Sequence, residues 1–136
     1  MTIVLDTNVL ISGILKPYSK AATILRLVAD GTIQLAYDLR LLSEYRDVLN
    51  RPKFNFAKEN VEGFLKQIEE EGLLVSVKPL RFHLPDPDDE PFLEVALSGG
   101  VKAIVTGNKR HFPRKEHEGV RILSPAEFLI AVNEEI

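Results

Sequence analysis

The chain contains no cysteine. That absence excludes disulfides, thiolate metal sites and a cysteine nucleophile. No apolar run approaches the ~18 residues of a membrane-spanning helix. The first residues lack the basic, apolar and small-residue parts of a secretory signal, which leads us to expect a cytoplasmic setting. No glycine-rich turn follows the first apolar run, so a dinucleotide-binding fingerprint is missing there. Positive charge is not in excess either: 17 Lys and Arg against 20 Asp and Glu give a net charge of −3. Nucleic acid is therefore not held by bulk positive charge. Carboxylates gathered for a divalent cation would tip the balance in the same direction, so the charge leaves a nuclease open.

What is present fits one globular domain spanning 1–136, with 45% hydrophobic and 27% charged residues. Apolar runs predict strands over 2–5, 33–37, 73–77, 103–105 and 120–123. Helical spacing predicts helices over 7–15, between Ser19 and Gly31, and over 40–50, 58–71 and 89–98. A last helix follows Ser124 with Pro125 at its first position. Residues 78–88 form a proline-punctuated loop. Strands that alternate with helices predict an α/β/α sandwich around a five-stranded parallel sheet.

The chemistry-bearing residues fall at strand ends and on flanking helices. Asp6-Thr7-Asn8 ends the first strand and opens a helix, so Asp6 is either a helix cap or a carboxylate at the edge where α/β sheets bind ligands. Glu44 lies roughly 100° from the centre of the apolar face of its helix, at the border between core and solvent, whereas Asp47 points outward. Asp86-Pro87-Asp88-Asp89-Glu90 crowds four carboxylates into five positions. Asp88 or Asp89 could cap the next helix, but capping needs only one of them, and the excess suggests a cation site. Thr106-Gly107-Asn108 follows the fourth strand as Asp6-Thr7-Asn8 follows the first. A donor set of Asp6, Glu44, Asp88 or Asp89, and Asn108 offers oxygen alone, which suits Mg²⁺ or Mn²⁺ over Zn²⁺. His83 and His117 have no partner at metal-binding spacing.

Taken in order, Ile3-Val4-Leu5-Asp6-Thr7-Asn8, Leu41-Leu42-Ser43-Glu44-Tyr45, Asp86-Pro87-Asp88-Asp89 with Phe92-Leu93-Glu94-Val95-Ala96, and Ile104-Val105-Thr106-Gly107-Asn108 resemble the PIN domain. The resemblance is closest to PIN-family (VapC-like) toxins of toxin–antitoxin systems and covers nearly the whole chain. It implies a metal-dependent ribonuclease with strand order 3-2-1-4-5. Asp6, Glu44 and Asp89 would be its catalytic carboxylates and would hold Mg²⁺ or Mn²⁺, with Asp88 as the alternative third ligand. The family's fourth acidic position falls at Asn108, an amide here. Asn8 and Thr106 match supporting polar positions. The resemblance further implies RNA as substrate, a small antitoxin protein as partner and a homodimer, with no membrane involved. Lys109, Arg110 and His111, followed by Arg114 and Lys115, would contact substrate phosphates independently of sequence.

Other readings of the same sheet fare less well. A phosphate-accepting receiver domain needs an aspartate ending a central strand, and neither 33–37 nor 73–77 provides one. An aspartyl phosphatase needs Asp-x-Asp, but position 8 is Asn8. The stronger rival, motivated by Asn108, is a catalytically weak PIN fold that binds RNA or a protein.

Overall fold

Three consecutive residues of the first strand, Ile3, Val4 and Leu5, are fully buried. Successive strand side chains point to opposite faces, so both faces of this strand, β1 (Thr2–Leu5), are covered. The computed structural model, which describes residues 1–135, arranges the remaining elements around it. In chain order they are α1 (Thr7–Leu15), α2 (Lys20–Ala29), β2 (Gln34–Tyr37), α3 (Leu39–Leu49), α4 (Lys58–Glu71), β3 (Leu73–Leu74), α5 (Glu90–Gly99), β4 (Ala103–Val105), β5 (Glu116–His117), β6 (Val120–Leu123) and α6 (Pro125–Glu135).

The sheet order is β3-β2-β1-β4-β6-β5. Five strands run parallel as expected, with Ile3 beside Leu35 on one side and Ala103 on the other. The expectation of five strands in all is corrected to six. The added strand β5 pairs antiparallel with β6 through a turn in which Glu118 (φ 47°) and Gly119 (φ 89°) are left-handed. The chain winds outward from β1 through β2 to β3, then returns to β4 on the opposite side of β1. That reversal puts the switch point of the sheet, where α/β proteins bind ligands, at the carboxyl ends of β1 and β4.

Strand β3 is also shorter than the expected 73–77. Leu73 and Leu74 pair with Ala36 and Tyr37, and Val75 donates one more bond to the Tyr37 carbonyl. Beyond that the backbone turns to α5, where Lys78 and Leu80 donate to the side chains of Ser98 and Glu94.

The helix boundaries follow from their capping chemistry. Ser19 accepts from the Ala22 amide and starts α2 after Pro17 has closed α1. Asp38 accepts from the amides of Arg40 and Leu41 and starts α3. Ser124 and Glu127 satisfy each other's backbone amides, a capping box that opens α6. Helix α4 stops where Gly72 passes the carbonyls of Ile68 and Leu35, since an added Cβ would lie 2.4 and 2.8 Å from them. Helix α3 packs against α4, α5 and α1, and α2 packs against α1 and α6. Among the described residues, no helix is long and apolar enough to cross a membrane.

Candidate active site

Asp6 occupies the first capping position of α1, yet its side chain makes no capping bond. Its Oδ2 instead accepts from the hydroxyl of Thr106 at 2.7 Å and from the Asn8 amide at 3.3 Å. Thr106 is itself fixed, because its backbone amide donates to Leu123 and its hydroxyl accepts from the Asn108 amide. Asn8 is held at its other end, where Oδ1 accepts from the Gly107 amide at 3.0 Å. The turns after β1 and β4 are thus tied together, and Asp6 is buried at the reversal point of the sheet.

Glu44 reaches the same edge from α3 and is half-buried, as its border position predicts. The Thr7 hydroxyl donates to its Oε2. One residue on, the Tyr45 hydroxyl donates to the Leu5 carbonyl and pins α3 to the end of β1. Burial raises the pKa of Glu44, the Thr7 bond opposes that rise, and the charges of Asp6 and Asp88 add to it.

The acidic loop divides its labour. Asp86 accepts from the Asp88 amide and caps the 3-10 turn over 87–89, so neither Asp88 nor Asp89 serves as a side-chain cap. Asp88 is exposed, whereas Asp89 turns inward and is buried. Its Oδ2 is enclosed without a hydrogen-bond partner. Burial pushes the Asp89 carboxyl up to about 6, with the charges of Asp6, Asp86 and Glu44 adding to the rise against the opposing effect of His111. Arg40 holds the two carboxylate-bearing helices together by pairing with Asp38 and with Glu94 of α5, each at 2.8 Å.

The basic segment after Asn108 does not act as one unit. Lys109 bonds both oxygens of Glu127 on α6, at 2.9 and 3.1 Å, so its charge is engaged away from the carboxylates. Arg110, Arg114 and Lys115 are exposed. His111 alone turns inward, with Nδ1 at 3.5 Å from Asp6 and 3.6 Å from Asp89. Its Nε2 lies 3.2 Å from the Asn108 amide nitrogen. Nδ1 is enclosed and makes no hydrogen bond to either carboxylate. Asn108 uses its carbonyl oxygen to accept from the Arg110 amide.

Three contributions are absent from the sequence reading: Thr7 as the partner of Glu44, Tyr45 as the pin at β1, and His111 as the side chain facing Asp6 and Asp89. His111 was expected beside the site as a phosphate contact rather than facing the carboxylates, and Thr7 had a visible signal. Asp6-Thr7-Asn8 supplies three capping side chains where a helix needs one.

The donor chemistry fits a hard divalent cation. Asp6, Glu44 and Asp89 offer oxygens, the charge of Asp6 raises the proton affinity of both Glu44 and Asp89, and one buried oxygen has no partner. Their spacing is wider than a closed cation site: among the described residues, no three His, Asp or Glu side chains stand close enough to hold a metal ion.

A mostly parallel sheet flanked by helices, with acidic side chains at its reversal point, defines an α/β protein with a candidate site at the carboxyl ends of β1 and β4. The PIN domain family model matches residues 2–110, and the chain belongs to that family, whose members are generally nucleases. Among curated proteins, none matches the chain.

Proposed function

We propose that this protein is an endoribonuclease that hydrolyses RNA phosphodiester bonds with Mg²⁺ or Mn²⁺, acting in the cytoplasm as the toxin of a toxin–antitoxin pair. The observation that carries the reading is the buried, partnerless Oδ2 of Asp89 beside Asp6, at the edge where Glu44 also arrives. Asp6 and Asp89 would hold the cation, with Glu44 as a third ligand or as the base. When bound, such a cation acts as a Lewis acid toward the phosphate and lowers the pKa of water.

The remaining work falls to the chain itself. Thr106 and Asn8 fix Oδ2 of Asp6, which leaves Oδ1 free of those bonds. Thr7 occupies Oε2 of Glu44, so Oε1 is the oxygen able to take a proton from the attacking water. Arg110, exposed after Asn108, would steady a phosphate without reading sequence. A small antitoxin covering the acidic edge, and pairing of two copies of the chain, complete the proposal.

The test is cleavage of structured and unstructured RNA by the purified protein, with Mg²⁺, Mn²⁺ or chelator, beside Asp6→Asn. Metal-dependent cutting that disappears in Asp6→Asn is expected. Equal cutting by the variant would overturn the assignment. One observation favours a second reading, a weakly catalytic RNA- or protein-binding module: Asn108 replaces a carboxylate, and its carbonyl is already engaged by Arg110. RNA binding without any metal-dependent cleavage would support it.

A further inference from the structure

The segment after α3, Arg51-Pro52-Lys53-Phe54-Asn55-Phe56-Ala57-Lys58, has three cations, two aromatics and no carboxylate. We propose that it is a stacking subsite for single-stranded RNA, beside the acidic edge and on the same side of α3 as Glu44. The inference rests on the ribonuclease reading for its substrate class.

The rings of Phe54 and Phe56 are stacked, with centroids 5.4 Å apart and planes 6° from parallel. The Lys53 ammonium lies over the Phe54 ring at 5.0 Å from its centroid. Phe56 packs against the core and anchors the pair, whereas Phe54 lies outside the core and is only half-buried. Part of the Phe54 ring is therefore covered by an exposed lysine side chain that can swing aside for a base. An aromatic ring flanked by cations is the arrangement on which unpaired bases stack, because every base has a π face and every nucleotide carries an anion.

The platform exists before any ligand arrives. Phe54 donates its amide to the Arg51 carbonyl and Asn55 donates to the Pro52 carbonyl, at 3.1 and 3.2 Å. Asn55 turns the chain at φ 51°, a conformation asparagine tolerates better than most residues.

Its position relative to the acidic edge is marked by Arg51, the first residue of the segment. Glu44 and Asp47 lie three residues apart on one face of α3, and Arg51, just past the end of that helix, reaches back to the same face. Arg51 pairs loosely with Asp47 at 3.6 Å, and its charge is felt at Glu44. Open surface runs beside Leu39, Arg40, Ser43, Glu44 and Asp47. A strand whose phosphate lies at Glu44 would pass Asp47 and Arg51 to reach the Phe54 ring. The local excess of cations favours an anionic strand over a protein segment.

Binding of a mixed-sequence oligoribonucleotide carrying 2-aminopurine, with chelator present to prevent cleavage, tests this in the intact protein. Excitation at the long-wavelength edge of the probe avoids protein emission, that of Phe54→Trp included. Binding with quenching is expected for the unmodified protein. Phe54→Leu should weaken binding about 5- to 100-fold and abolish quenching, and Phe54→Trp should restore both. Lys53→Ser should lower the slope of log Kd against log salt by about 0.7. Absence of binding by the unmodified protein, unchanged binding in folded Phe54→Leu, or equal Phe54 dependence for duplex RNA would each overturn the subsite. Should Phe54→Leu fail to fold by circular dichroism, the Lys53→Ser slope decides. Metal-dependent cleavage with unaltered Phe54→Leu binding overturns the subsite and leaves the ribonuclease. Phe54-dependent stacking by a protein that cuts nothing does the reverse.

Discussion

The Thr106 hydroxyl donates to Oδ2 of Asp6 at 2.7 Å, joining the ends of two adjacent strands across 100 residues of sequence. Thr106 is wholly buried and Asp6 nearly so, which leaves no water to replace the bond if it is lost. Thr106→Val keeps the shape and removes the donor. It should cost about 1.5–3 kcal/mol in chemical denaturation, the usual worth of a hydrogen bond to a charged group, with Asn8 left as the donor to Oδ2. It should also reduce RNA cleavage, whereas Thr106→Ser keeps the donor and should retain most of both properties. A stable, fully active Thr106→Val would mean that Asp6 needs no such anchor.

Asp89 stores the opposite kind of energy. Its carboxyl, pushed up to about 6 by burial and by Asp6, Asp86 and Glu44, is ionised at pH 8 against those costs. Asp89→Asn removes the charge and keeps the size. Without divalent cation, the variant should be more stable than the unmodified protein at pH 8 by on the order of 1 kcal/mol. Addition of Mg²⁺ should then raise the melting temperature of the unmodified protein and leave that of Asp89→Asn unmoved. A cation-free Asp89→Asn protein that melts lower would show that the carboxylate contributes structurally, and the cation assignment would lose its main support.

The contrast between Asp6 and Asp89 shows how far the sequence could be read. Both sit beside a helix start, where capping is the ordinary role, and their surplus over capping need pointed to the site. Apolar runs placed β1 and β4 because both are buried on both faces and tolerate few polar residues. The same logic overextended β3, an edge strand whose length is set by where Lys78 and Leu80 find acceptors on α5. Strand β5 was invisible because two residues carry no periodicity; only its partner and the turn at Glu118-Gly119 define it. The basic segment looked uniform along the chain. Its division between Lys109, bound to Glu127, and His111, turned to the carboxylates, depends on where α6 lies.

Glu127 links that segment to α6 and predicts an acid-dependent loss. The Lys109 bond and the Ser124 amide hold its carboxyl down at about 2. A carboxyl lowered in the folded state stabilises fully above its unfolded value and progressively less as pH falls through the folded one. The window here runs from about 4.5 down to about 2. The pair is 46% exposed at Glu127, so solvent screening keeps the contribution below about 1 kcal/mol. Glu127→Gln should lower the urea midpoint slightly at pH 7 and flatten its decline between pH 4.5 and pH 2. An unchanged slope in that window would show that Lys109 and Glu127 are not paired in solution.

His111 gives the sharpest check on where a cation goes. Its Nδ1 faces the carboxylates of both Asp6 and Asp89, within 3.6 Å of each. A divalent ion drawn to those oxygens competes with the ring for them, so the two cannot keep their present relation. The chain has three histidines, which makes the ring signals separable by nuclear magnetic resonance. Titration with Mg²⁺ should move the His111 ring resonances and leave those of His117, buried against Phe82, in place. His83 serves as the other control, because it lies 3.4 Å from Glu90. A shift confined to His83 would put the ion at Glu90 instead. His111→Ala removes the competing ring, so it should bind Mn²⁺ more tightly than the unmodified protein. If Mn²⁺ binding weakens instead, the ring is helping to hold the ion rather than standing in its place.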